Sequence, residues 1–256
     1  MANRWGWLLA VGLWGLPSVA VAVEPRTIEG TLDGTEAKLD DGSFYDSYEF
    51  EGKAGESVAI ALDSSEFDTY LVLLDPAGKS LVQQDDGEGA NARLAVTLPE
   101  AGRYQVLATS YQPGTKGAYQ LRWQPATAAE VTRFQQKSEA DRLFQQGNQQ
   151  YRTSQFREAI QSWEAALQIY RTLRDRQGEA ASLGNLGLAY RSLGQYQQAI
   201  DFQEQSLAIK REIGNRQGEA ASLGNLGNAY DSLGQYQRAI NYHEQSLALQ
   251  REIGDR

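Results

Sequence analysis

Two hydrophobic periods run along this chain, and they change over near residue 125. From Glu24 to Gln124 apolar and polar residues alternate in short runs. Ser57–Leu62, Thr69–Leu74, Ala92–Leu98 and Tyr104–Ala108 each suit a strand buried on one face or on both. Turn signals separate them: Lys53-Ala54-Gly55, Asp75-Pro76-Ala77-Gly78, Asp85-Asp86-Gly87-Glu88-Gly89, Pro99-Glu100-Ala101-Gly102 and Pro113-Gly114. Proline fixes φ early in such a turn and glycine takes the positive φ that other residues resist. About seven or eight strands at this spacing predict an antiparallel β-sandwich over residues 23–124.

From Ala126 the period becomes helical and the sequence repeats. Residues 176–215 and 216–255 align without gaps at a period of 40 and differ at nine positions; a diverged copy, residues 136–175, keeps the phase. Gly147, Gly187 and Gly227 superpose, as do Phe156, Tyr196 and Tyr236, and Leu167, Leu207 and Leu247. Leu183, Leu186, Gly187, Tyr190 and Leu193 share one face of a first helix, which Gly194 closes with a left-handed cap. Tyr196, Ala199, Ile200, Leu207 and Ile213 line a second helix. The pattern predicts an α-solenoid of stacked hairpins, with Gly187 and Ala199 bringing two helices close and Tyr190 and Tyr196 filling the wedge. A helical linker is expected over residues 125–135.

Both halves resemble known families. Gly187-x-x-Tyr190, Tyr196-x-x-Ala199-Ile200 and Leu207, with Gly-Asn-Leu-Gly at 184–187 and 224–227, resemble the tetratricopeptide repeat in its 40-residue, kinesin-light-chain-like form. The first copy departs, with Gln150 for the helical tyrosine and Gln145 for the asparagine. In the sandwich half, Asp46-x-Tyr48-x-Phe50, Phe67-Asp68-Thr69-Tyr70-Leu71, Asp85-Asp86-Gly87, Leu98-Pro99 and Gly102-x-Tyr104 are similar to the bacterial pre-peptidase C-terminal (PPC) domain. That resemblance implies a secreted, jelly-roll-like, non-catalytic accessory module. Exported proteins with such arrays often continue into a caspase-like CHAT peptidase domain, which makes the regulatory front of a longer enzyme one alternative.

The amino terminus reads as an address. Arg4 precedes an apolar run from Trp5 to Leu16, Pro17 breaks it, and Ala20-Val21-Ala22 supplies the small residues of a cleavage site. The run is shorter than the roughly 20 residues a membrane span needs. Residues 1–22 are therefore expected to be a signal peptide, leaving a periplasmic or extracellular chain with no stable membrane insertion. At the other end the chain stops in phase with the opening of another repeat and with no polar capping helix, so the array is expected to be truncated or covered by a partner.

Composition narrows the chemistry. The 256 residues carry 33 acidic and 24 basic side chains, one histidine and no cysteine. That excludes disulfide scaffolds, thiol nucleophiles and zinc ribbons, and a net charge of −9 argues against nucleic acid. His243 sits where the other copies carry Gln203 and Trp163, so it reads as a packing or solvent position. Catalytic residues: none. Asp85, Asp86 and Glu88 form a weak calcium candidate that lacks the spaced order of a dedicated loop, and no other cofactor is expected. Tyr45, Tyr48, Tyr111 and Trp123 are weighed as a sugar-stacking platform against core packing, with packing favoured.

The repeat half offers a better-founded site, because stacked first helices line a concave binding surface. In the resembling family, asparagine at the position of Asn185 and Asn225 clamps a peptide backbone. Leu188 with Asn228, Arg191 with Asp231, and Tyr151 share those helix faces, and the two pairs are among the nine positions that differ. Drift at exposed positions explains the same variation. The reading is an exported, non-catalytic adaptor that binds a protein or peptide in the groove; the alternative is a carbohydrate- or cell-surface-binding sandwich that the repeats merely space.

Overall fold

The computed structural model describes residues 23–84 and 91–254, so the expected leader and the acidic turn with Asp85, Asp86 and Glu88 lie outside the described residues. Strands come first: β1 (Arg26–Leu32), β2 (Ala37–Lys38), β3 (Phe44–Gly52), β4 (Ser57–Asp63), β5 (Thr69–Leu74), β6 (Ser80–Gln84), β7 (Ala92–Thr97), β8 (Gly102–Ser110) and β9 (Gly117–Pro125). Six helices follow: α1 (Ala128–Arg152), α2 (Phe156–Leu173), α3 (Arg176–Ser192), α4 (Tyr196–Glu212), α5 (Arg216–Ser232) and α6 (Tyr236–Glu252). The described residues thus hold nine strands. Of these β2 is two residues long, too short to carry a period.

The strands form two antiparallel sheets, ordered β1-β9-β4-β7 and β2-β3-β8-β5-β6. Strict alternation in β4 buries Val58, Ile60 and Leu62; in β9 it buries Tyr119, Leu121 and Trp123. These side chains meet Phe50, Leu71, Leu73, Tyr104 and Val106 of the other sheet in one core. β5 is apolar on both faces for a reason: Val72 and Leu74 point outward, where Leu39, Leu107, Tyr45 and Tyr70 cover them. The Asp75–Lys79 turn behaves as its residues predict. Asp75 Oδ1 accepts the N–H groups of Ala77 and Lys79 at 3.0 and 2.8 Å, and Gly78 takes φ +78°.

The tyrosine platform does not form. Trp123 is buried, tilted against Phe50 at 5.8 Å, and Tyr48 hydrogen-bonds the Tyr119 hydroxyl at 2.7 Å. Tyr45 lies three residues from Tyr48 on β3, so the pleat sends the two to opposite faces. Only Tyr111 of the four is exposed. Tyr119 in turn donates to Asp46 Oδ2, and burial with that carboxylate pushes its hydroxyl well above the ordinary tyrosine range.

In the helical unit α2 to α6 each pack on the next in sequence, and α1 meets α2 through Ala140, Phe144, Ala166 and Tyr170. The first helices have designed starts: Asp175 Oδ1 accepts the Gly178 N–H at 2.9 Å and Asn215 Oδ1 the Gly218 N–H at 2.7 Å. Gly194, at φ +74°, ends the hairpin's first helix as expected, and Gln195 N–H reaches back to the Tyr190 carbonyl. The wedge is filled differently from expectation. Gly187 faces the Gln203 side chain, as Gly147 faces Trp163 and Gly227 faces His243. Tyr190 stacks on Phe202 at 5.2 Å and Tyr230 on Tyr242 at 5.3 Å, while Tyr236 is 65% exposed.

Salt bridges join successive hairpins with the same period. The nearly buried Glu179 carboxylate receives Arg171 at 3.0 Å and Arg176 at 2.6 Å, and Arg176 also pairs with Glu212. Forty residues on, Glu219 receives Arg211 and Arg216, and Arg216 pairs with Glu252. Each carboxylate is desolvated by the hairpin contact and offset by two guanidinium groups.

Candidate functional site

The side chains singled out in the sequence lie on α1, α3 and α5, the first helices of the three hairpins. A residue every three or four positions falls on one face of a helix. Gln145, Asn148 and Tyr151 therefore form one rung on α1, Asn185, Leu188 and Arg191 the second on α3, and Asn225, Asn228 and Asp231 the third on α5. The flanking residues Leu183, Leu186, Leu223 and Leu226 are buried and fix the helices in register. Asn185, Leu188, Arg191 and Asn225 are half-buried; Asn228 and Asp231 are exposed.

The rungs are not equivalent. Asn185 Nδ2 donates to Asn148 Oδ1 at 2.9 Å, and the same oxygen accepts the Trp163 indole N–H at 3.2 Å. Tyr151 packs against Phe156 and Trp163 at 5.3 and 5.7 Å, and its hydroxyl lies 3.1 Å from Ser192 Oγ. Tyr151 is thus half a core residue. Asn148 escapes the sequence reading because its counterparts are Leu188 and Asn228, so no repeated residue marks it.

One step along the array the matching bonds are missing. Leu188 stands where Asn148 stood, and among the described residues the side chains of Asn225, Asn228 and Asp231 make no hydrogen bond or ion pair. Arg191 Nε is buried without a hydrogen-bond partner. The faces of α3 and α5 therefore present amide donors and acceptors, one cation and one anion, with unused capacity.

No acid–base constellation accompanies them. His243 is exposed, covering Gly227 with its ring. Among the described residues no group of three histidine, aspartate or glutamate side chains could hold a metal ion, and no helix is long and apolar enough to cross a membrane. A second unforeseen group is Lys210 on α4, whose ammonium donates to Ser222 Oγ at 2.9 Å; burial holds it below the ordinary lysine range.

A β-sandwich followed by stacked helical hairpins, with polar faces on the first helices, defines the class. Residues 44–110 match the bacterial pre-peptidase C-terminal domain, and residues 139–212 and 222–256 match the tetratricopeptide repeat. The chain carries a PPC domain, a bacterial module, followed by tetratricopeptide repeats. Among solved structures it is similar to the tetratricopeptide domain of Arabidopsis FLU (23% identity, 44% of this chain and 95% of that one, TM-score 0.43). It is also similar to the TPR2AB domain of yeast Sti1 in complex with pHSP90 (29% identity, 44% and 42%, TM-score 0.40). A third is a putative kinesin light chain of Podospora anserina with nearly identical repeats (26% identity, 46% and 58%, TM-score 0.41). No curated protein matches the sequence. Tetratricopeptide repeats suggest a protein-interaction scaffold, and neither module is generally catalytic.

Proposed function

We propose that this chain is an exported, non-catalytic adaptor that holds an extended protein segment against α1, α3 and α5. Its organisation in this reading is a leader over residues 1–22, a sandwich over 23–124, a helical linker over 125–135 and repeats over 136–175, 176–215 and 216–255. One observation carries the reading. Packing residues such as Leu183, Leu186 and Gly187 recur unchanged as Leu223, Leu226 and Gly227, whereas Leu188 and Arg191 become Asn228 and Asp231 on the polar face. That face carries the amides of Asn225 and Asn228, which make no side-chain hydrogen bond among the described residues. An extended segment satisfies them, since its backbone offers one donor and one acceptor per residue. Export rests on the leader's charge, apolar run and Ala20-Val21-Ala22.

The test is affinity capture from the producing cell's envelope fraction with the full chain and with Asn185→Ala plus Asn225→Ala. The paired substitution is expected to cut retention of the captured protein by about tenfold, the worth of one or two hydrogen bonds to a desolvated partner. Unchanged capture would remove Asn185 and Asn225 from the site.

A further inference from the structure

The two halves of the polar face differ in a way that bears on what they hold. Between α1 and α3 the facing side chains are already tied to each other, through Asn148–Asn185 at 2.9 Å and Tyr151–Ser192 at 3.1 Å. Between α3 and α5 neither tie is repeated. Leu188 cannot hydrogen-bond Asn225, and Arg191 replaces the tyrosine that reached Ser192. What remains is one apolar side chain, Leu188, flanked by the free amide of Asn225, the cation Arg191 and the anion Asp231. Arg191 and Asp231 occupy the same position in consecutive repeats, yet no ion pair joins them among the described residues.

Arg191 is half-buried and forms no ion pair among the described residues. A guanidinium is best satisfied by a carboxylate that can take two of its N–H groups. Asp231, exposed one rung further, calls for the opposite charge. α3 and α5 approach each other at a few residues; helices in contact stand about 10 Å apart, and an extended chain advances about 3.4 Å per residue. A peptide crossing from α3 to α5 therefore covers the interval in about three residues.

We propose that the α3–α5 face binds an extended peptide bearing an acidic and a basic side chain three residues apart, the acid on Arg191 and the base on Asp231. The peptide backbone lies against Asn225, and an apolar side chain between the charges rests on Leu188. This rests on the groove reading above and adds the partner's charge pattern to it. Because the two charges have a fixed order along the array, they also fix the direction in which a given peptide lies.

The test selects short random peptides displayed on phage against the full chain and against the double variant Arg191→Asp plus Asp231→Arg. The wild-type chain is expected to enrich peptides with an acid and a base three residues apart. The double variant should enrich the same spacing with the order inverted. Each peptide class should bind the other protein about tenfold more weakly. Identical peptides from both proteins would overturn the proposal, since the two charges would then take no part in recognition. Peptides that lack the spacing but are lost on Asn185→Ala plus Asn225→Ala would overturn this proposal while sparing the groove reading. Enrichment of no peptide by the wild-type chain would overturn both.

Discussion

A methyl group added at Gly224 would meet only Ser246 Oγ, at 3.5 Å; one added at Gly147 would lie 2.6 Å from the Trp163 indole nitrogen. The two glycines both sit inside first helices, where glycine costs about 1 kcal/mol relative to alanine. Gly224→Ala is therefore expected to raise stability by about 0.5–1 kcal/mol, and Gly147→Ala to lower it by about 1–3 kcal/mol through overpacking. Gly227→Ala falls between them, because the ring it would strike belongs to the exposed His243 and can swing away. Urea unfolding followed by helical circular dichroism gives all three values. Equal losses at Gly147 and Gly224 would mean that the indole does not set the spacing of that hairpin. The recurrence of Gly147, Gly187 and Gly227 was legible from the period alone. What faces them was not, because a period says which residues are equivalent and leaves open which side chain arrives from the next helix. Trp163, Gln203 and His243 share the place while sharing no chemistry, so Ala199 was the more obvious partner on paper.

Helices gain their contacts from pairs of faces, and one such contact carries a misfit. Lys210 on α4 is the only lysine of the second helices, standing where α2 has Tyr170 and α6 has Gln250. Tyr170 uses its hydroxyl on Asp141 at 2.8 Å; Lys210 brings a full charge to the α4–α5 contact and finds the hydroxyl of Ser222. Burial depresses its folded-state pKa, so the unfolded chain binds the proton more tightly. Stability must then rise with pH from the depressed value up to the ordinary 10.5 and stay flat below that window. Lys210→Met removes the rise and, by ending the desolvation of a charge balanced only by a hydroxyl, should add on the order of 1 kcal/mol at neutral pH. Thermal unfolding of the two proteins at neutral and alkaline pH checks both, and a parallel pH dependence in the variant would assign the effect elsewhere. At this scale the hairpins, their glycine ends and the central strands could be read beforehand. β1 could not, because Thr27, Glu29 and Thr31 on its outer face leave only Ile28 and Leu32 as strong apolar markers. The Asn148–Asn185 bond was hidden for a related reason: it joins the diverged copy to a regular one, where alignment offers least help.

The charge and the cores divide along the same line. Residues 23–124 hold 18 acidic and 8 basic side chains, whereas residues 125–256 hold 15 of each. The sandwich gathers Val58, Ile60, Leu71, Leu73 and Tyr104 into one cluster, and the repeats bury their own along successive hairpins. A solenoid of this kind is stabilised by nearest-neighbour contacts, so damage in one hairpin is felt next door and fades with distance. A sandwich has no such gradient, since every inward side chain touches the common core. Leu73→Ala, at a fully buried position, is expected to cost the sandwich about 2–5 kcal/mol. That should lower its melting transition by more than about 10 °C. The helical transition, followed by ellipticity at the helix minimum, should stay in place, because the repeats bury side chains of their own. Leu226→Ala should do the reverse, and calorimetry of the two variants separates the transitions without relying on either spectroscopic probe. If Leu73→Ala moved both transitions together, the two units would fold as one cooperative block.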